Sequence, residues 1–182
     1  GEFQNDKGNG KGQYFYWSGG WYTGDFKDSL FHGSGKMNWA DGGIYTGDFK
    51  LGEMHGIGKL LGPNAETYTG GYKNGKQHGE GVMTLPDGTR YTGEVKNDQI
   101  DGFGTLLYPN GNKYIGEFKN HKFHGRGSLV LANGTTFKGS YDQGEFSGVI
   151  KIMFVDGREL AGEWNDRKSV FTGTMSYPDG SK

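Results

Sequence analysis

The sequence predicts an all-β protein, a single-layer antiparallel β-meander built from hairpins. Three observations carry this. An aromatic or apolar residue returns at Tyr22, Tyr45, Tyr68, Tyr91, Tyr114, Phe137 and Leu160, every step being 23 residues. Each period contains two strand-like stretches joined by a turn signal. The 37 glycines among 182 residues fall at repeated places in that period. Gly-rich chains without a period tend to be disordered, whereas a fixed period marks stacked copies of one supersecondary unit.

The period sets the boundaries. Residues 9–182 read as one continuous array, with a partial repeat over 9–21 and repeats starting at 22, 45, 68, 91, 114, 137 and 160. Residues 1–3, "GEF", read as a cloning remnant. The chain stops at "PDGSK", one residue before the next start, as a piece cut from a longer protein would.

The unit from Tyr68 to Arg90 shows the elements in order. "YTGGYK" alternates apolar or Gly with polar, as a half-buried strand does. Asn74–Gly75 is a two-residue hairpin turn signal. "KQHGEGVMTL" returns as the second strand. Pro86–Thr89 supplies a Pro for the first turn corner and a Gly for a left-handed position. The expected loop is three residues long, Asp87–Thr89, with a G1 bulge.

Loop length fixes register, and register fixes faces. These loops place Tyr72 opposite Gln77, Gly70 opposite Gly79 and Tyr68 opposite Gly81. Across the second loop they place Leu85 opposite Tyr91, Met83 opposite Gly93 and Gly81 opposite Val95. All share one face. In the same register Tyr22, Tyr45 and Tyr114 face Gly35, Gly58 and Gly127, so that a ring covers bare backbone. Strands about 4.8 Å apart then give a twisted rod of seven to eight repeats.

The residues YxGx(aromatic)xxGxxHGxG…DG resemble the MORN (membrane occupation and recognition nexus) repeat. "YTGDFKLGEMHGIGKLLGPNAET" and "YIGEFKNHKFHGRGSLVLANGTT" carry the resemblance. It implies a rod of hairpins with a concave groove. It also implies a scaffold of cilia, cytoskeleton or cell division, a module beside a catalytic domain, or a lipid-binding element. The pattern departs late: "HGRG" at His124 becomes "SGVI" at Ser147 and "VFTG" at Val170, with Ile150 and Phe171 in expected glycine places. These last two repeats are expected to cap the array or to form a dimer contact.

Composition excludes several functions. There is no Cys, which leaves no disulfide or thiolate site and fits a cytoplasmic address, cytoskeletal or ciliary by the resemblance. A net charge of −1 argues against a nucleic-acid partner. His32, His55, His78 and His124 come one per repeat, about 10 Å apart, too far to share a zinc ion. The register instead sets His32 against Asp25, His55 against Asp48 and His124 against Glu117. Asp25, Asp48, Glu94 and Glu117 are equally dispersed. Each precedes a lysine by two residues (Lys27, Lys50, Lys96, Lys119) and reads as a solvated salt-bridge ladder. No catalytic set, metal site or cofactor is expected.

What remains is an uncovered sheet face. Tyr22, Phe26, Trp39, Tyr45, Phe49, Tyr68, Tyr72, Tyr91, Tyr108, Tyr114, Phe118 and Tyr141 are expected to line a concave aromatic groove. Such a patch suits a partner protein's helix or extended peptide. On the opposite face Phe103, Leu107, Ile115, Val130, Val149 and Met153 form a second candidate contact, suited to a homodimer, with Leu107 facing Ile115. The function expected is a non-enzymatic scaffold or adaptor. The alternatives are a membrane or phosphoinositide tether and a regulatory spacer of an enzyme domain outside this chain.

Overall fold

The computed structural model describes residues 2–4, 7–165 and 170–182. Among them are sixteen strands and no helix, in one sheet whose order is the sequence order. The repeats starting at 22 through 137 each supply a seven-residue strand and a nine-residue strand, as in Ile44–Lys50 with Glu53–Leu61 and Lys113–Lys119 with Lys122–Val130; the last pairs two seven-residue strands. The chain forms two compact units, one through Asp87 with Glu94–Asp98, the other Gly88–Gly93 with Gln99–Lys182. Of residues 1–3, Gly1 lies outside the described residues; Glu2–Gln4 is a short strand paired with Lys7–Asn9.

The short turns are of the expected two-residue kind. Asn74 and Gly75 both take positive φ, 51° and 79°, and Asn120 and His121 do the same at 49° and 66°. This is the type I′ geometry, whose twist matches that of the strands. The second turn residue also donates its N–H to the preceding repeat: Gly52 to the Phe31 carbonyl and His121 to the Ile100 carbonyl, both at 2.9 Å. Each turn is thereby tied to the repeat before it.

The register differs from expectation at two places, each time by two residues. The long loops are three residues, but start one residue earlier: Trp39 N–H bonds the Gly43 carbonyl, and Tyr108 N–H the Asn112 carbonyl, both 2.9 Å. The reason is the Asx side chain. Asp41 accepts from Gly43 N–H and Asn110 from Asn112 N–H, which holds the turn one position back. Consequently Tyr45 pairs with Met37, not with the loop-flanking Trp39, and Leu107 lies opposite Lys113, while Ile115 faces Thr105.

The second difference is a bulge inside the hairpins before the last. Tyr72 does pair with Gln77, but Gly70 pairs with Gly81 and Tyr68 with Met83. In the same way Tyr22, Tyr45 and Tyr114 pair with Met37, Leu60 and Leu129. Two extra residues on the longer strand make the shift. One of them is the glycine of "HG", left-handed at Gly56 (φ 65°) and Gly125 (φ 57°), a conformation that costs other residues roughly 1–2 kcal/mol. Both shifts are even, so every side chain keeps its expected face.

Glycine consequently pairs with glycine. Gly12, Gly24, Gly35, Gly47, Gly58, Gly70 and Gly81 form one unbroken row in the first unit. Gly104, Gly116, Gly127 and Gly139 form another in the second, which ends at Ile150. The hairpin of Glu159–Asn165 with Val170–Ser176 has no bulge, since its pairing runs without a shift from Glu159↔Ser176 to Asn165↔Val170.

Candidate functional site

The tyrosine face is built around these rows. The tyrosine ring lies diagonally over the glycine two residues from its pairing partner. A Cβ on Gly35 would fall 2.6 Å from Cζ of Tyr22, and one on Gly127 2.5 Å from Cζ of Tyr114. The hydroxyl then closes on the backbone. Tyr22 donates to the Asp25 carbonyl (2.8 Å), Tyr45 to Asp48 and Tyr114 to Glu117 (both 3.0 Å).

A second ring covers the first. Phe31 stacks on Tyr22 with centroids 3.9 Å apart, and Phe123 on Tyr114 at 3.7 Å. Edges are closed by neighbours: Phe26 and Phe49 against Tyr22, Phe118 and Tyr141 against Tyr114. Edge and offset ring contacts are the favoured arrangements. Tyr22 and Tyr114 are thus enclosed by backbone below, a ring above and rings at the sides, although the sheet has one layer. Burial pushes the phenols of Tyr22, Tyr68 and Tyr114 up to about 12, helped by the charges of Asp25, Asp98 and Glu117 respectively. Tyr45, Tyr72 and Tyr141 are raised further for the same first reason.

This corrects the expected exposure of the groove. Of its twelve residues, Tyr22, Tyr45, Phe49, Tyr68, Tyr72, Tyr91, Tyr114, Phe118 and Tyr141 are buried. Phe26 and Tyr108 are half-buried, and Trp39 is exposed in its loop. Ring-on-ring packing uses the area that sequence reasoning left for a partner. The Phe31 and Phe123 positions, which complete that packing, were missed, although the short turn alone sets their pairing with Phe26 and Phe118.

The open clefts lie on the other face. In the first unit a cleft of about 660 Å³ runs over Gly12, Gly24, Gly35 and Gly47, walled by polar side chains such as Thr23, Ser34, Lys36 and Asp48. In the second unit one of about 490 Å³ runs over Gly116, Gly127 and Gly139. Its apolar walls are Phe103, Ile115 and Val149, three of the six residues expected on this face. Leu107 is also exposed there, while Val130 and Met153 are half-buried at its margin. Arg126, Ser128, Lys138 and Ser140 complete the walls.

The bulges supply the most prominent wall residues. Counted from each start, the twelfth position holds Ser34, Ile57, Glu80, Phe103, Arg126 and Val149, all exposed. A carboxylate holds the bulge: Asp25 accepts from Ser34 N–H (3.2 Å), Asp48 from Ile57 N–H (3.2 Å) and Glu117 from Arg126 N–H (3.0 Å). The recurrent acid is therefore a backbone clamp, and Asp25 meets Lys11 at 3.5 Å instead of Lys27. His32, His55 and His124 do sit opposite Asp25, Asp48 and Glu117. Nδ1 of His124, however, lies 3.3 Å from Asp142 on the next strand. Among the described residues no three His, Cys, Asp or Glu converge as metal ligands.

The MORN repeat family profile matches residues 22–44, 45–66, 68–90, 91–113 and 114–136. The chain belongs to the MORN repeat family. The repeats starting at 137 and 160 lie beyond the match, where Ile150 interrupts the glycine row and the last bulge is missing. No curated protein matches the chain. Among solved structures it is similar to the wild-type TCP10 domain of Danio rerio CPAP, with a TM-score of 0.56 and 14% identity over 92% of this chain and 79% of that one. It is also similar to the SAS-4 (dCPAP) TCP domain of Drosophila melanogaster, in complex with a proline-rich motif of Ana2 (dSTIL). There the TM-score is 0.54 and the identity 14%, over 94% and 86% of the two chains. At that identity the likeness is one of fold.

Proposed function

We propose that this chain is a non-enzymatic scaffold that binds a segment of a partner protein on the face opposite its tyrosines. The observation that carries this is the exposure of large apolar side chains beside the cleft of the second unit: Phe103 is 56% exposed and Val149 62%. Exposed apolar side chains grouped beside a cleft favour a protein partner. The Drosophila TCP domain, similar in fold, is in complex with a proline-rich motif, which supports a peptide as the ligand class. The buried Tyr114 and Tyr141 back this face in the second unit. A cytoplasmic, cytoskeleton-associated setting fits the reading.

The test is affinity capture with the wild-type chain and with Phe103→Ser/Val149→Ser, read by quantitative mass spectrometry. Both side chains are exposed, so far-UV circular dichroism and thermal midpoint should match. A reproducible set of partners should fall away with the double variant. Capture of the same set by both proteins would place the contact elsewhere and end this reading.

A further inference from the structure

We infer that the bulge residues Phe103, Arg126 and Val149 read a partner's side chains one at a time, and that the segment they fit is a polyproline II stretch, with an acidic residue between two apolar ones. This rests on the proposed scaffold function and specifies its ligand. The three residues occupy the same position of successive repeats, on the strands Gln99–Leu107, Lys122–Val130 and Glu145–Met153. One strand separates each from the next, Lys113–Lys119 and then Thr136–Asp142. Two strand spacings are roughly 10 Å.

A polyproline II chain has three residues per turn and rises about 3.1 Å per residue, so one turn of a peptide spans about one repeat and residues three apart share a face. A peptide laid across the strands along the glycine row would bring every third residue to a bulge. The backbone of Gly116, Gly127 and Gly139 floors the cleft, and no side chain rises from this row because its Cβ positions face the side of Tyr114 and Ile150. The walls then choose the side chains. Phe103 with Ile115 offers an apolar site at one end, and Val149 another at the other end.

Between them the charge is positive. Arg126 and Lys138 both line the cleft, and both are exposed. The nearest acid is Glu117, whose carboxylate is turned onto the Arg126 N–H. It reduces the positive charge without cancelling it. Glu163 faces Val149 from the outer strand and is not part of the lining. A carboxylate centred on Arg126 is therefore favoured, and an ammonium disfavoured. The first unit differs at the same positions, with Ser34, Ile57 and Glu80. The bulge position thus varies in chemistry from repeat to repeat, and a carboxylate clamps its backbone at Ser34, Ile57 and Arg126.

The test uses the whole chain and fluorescent nine-residue peptides in anisotropy titrations. The first peptide has leucine at its second and eighth positions, glutamate at the fifth and serine elsewhere. The second replaces the glutamate with lysine, and the third moves the glutamate by one residue. The wild type should bind the first at least about fivefold more tightly than either other, since only every third side chain of a polyproline II peptide shares a face. Arg126→Glu should reverse the preference between glutamate and lysine. Should that variant lose its circular dichroism signal, Arg126→Gln takes its place and should abolish the preference. No saturable binding of the first peptide overturns the inference. So does an unchanged glutamate-to-lysine preference in the Arg126 variant. If captured partners still depend on Phe103 and Val149 in either case, the scaffold reading stands and only this position-specific one falls.

Discussion

Tyr114 and Gly127 compete for one volume: the Tyr114 ring fills the space that a Gly127 side chain would need. The pair is diagonal, because Tyr114 pairs with Leu129 and Gly127 with Gly116. Gly127→Ala should destabilise the chain by about 1–3 kcal/mol through overpacking. Combined with Tyr114→Leu it should cost less than the sum of the single changes, since the smaller side chain vacates the site. Urea unfolding of the four proteins measures this. Strict additivity would show that the ring does not rest on Gly127.

Tyr45 places its hydroxyl 3.0 Å from the Asp48 carbonyl, inside a buried ring cluster. Tyr45→Phe keeps the ring and removes the bond, so a loss of about 1 kcal/mol is expected. A midpoint in urea equal to that of the wild type would show the bond to be idle.

Gly148 is left-handed at φ 74°, with open space where a Cβ would stand. Gly148→Ala therefore probes backbone strain without a clash and should cost about 1–2 kcal/mol. Gly148→Asn should cost less, since Asn tolerates this region. Equal stability of Gly148→Ala and the wild type would mean that the bulge relaxes.

Asp48 clamps the bulge through Ile57 N–H at 3.2 Å. Asp48→Ala should cost about 1 kcal/mol, and Asp48→Asn less, because an amide oxygen still accepts. Amide exchange at Ile57 should accelerate more in the Ala variant than in the Asn variant. Identical exchange in both would deny the clamp.

The buried phenols predict sensitivity to alkali. Unfolded tyrosines lose their proton near pH 10, whereas burial holds Tyr22, Tyr68 and Tyr114 up to about 12. Between these limits the folded chain binds more protons than the unfolded one, so stability falls as pH rises from 10 to 12. Below pH 10 these groups leave stability unchanged. The late phenolate absorbance should appear together with loss of circular dichroism. Titration of every tyrosine near pH 10 in a folded chain would contradict the burial.

Much of the fold was legible. The Asn74–Gly75 turn, the opposition of Tyr72 to Gln77 and the shared face of Tyr22, Tyr45 and Tyr114 with Gly35, Gly58 and Gly127 follow from local turn chemistry and a period of two. The partners of Tyr68 and Leu107 were not legible, because a loop centred one residue earlier and a two-residue bulge leave the alternation of faces untouched. Of the candidate site, Phe103, Ile115 and Val149 were assigned to the cleft face. Arg126 was missed, since a charge on a polar face gives no sign that a bulge presents it beside a glycine floor.

The amino-acid sequence alone determined the repeat, its hairpins and which side chains share a side, because those depend on neighbours within a few residues of one another. Only the tertiary structure decided that the tyrosines are enclosed and that the opposite face is the open one. Enclosure needs rings from adjoining strands, such as Phe31 and Phe49 around Tyr22, and the period alone does not show which of them meet.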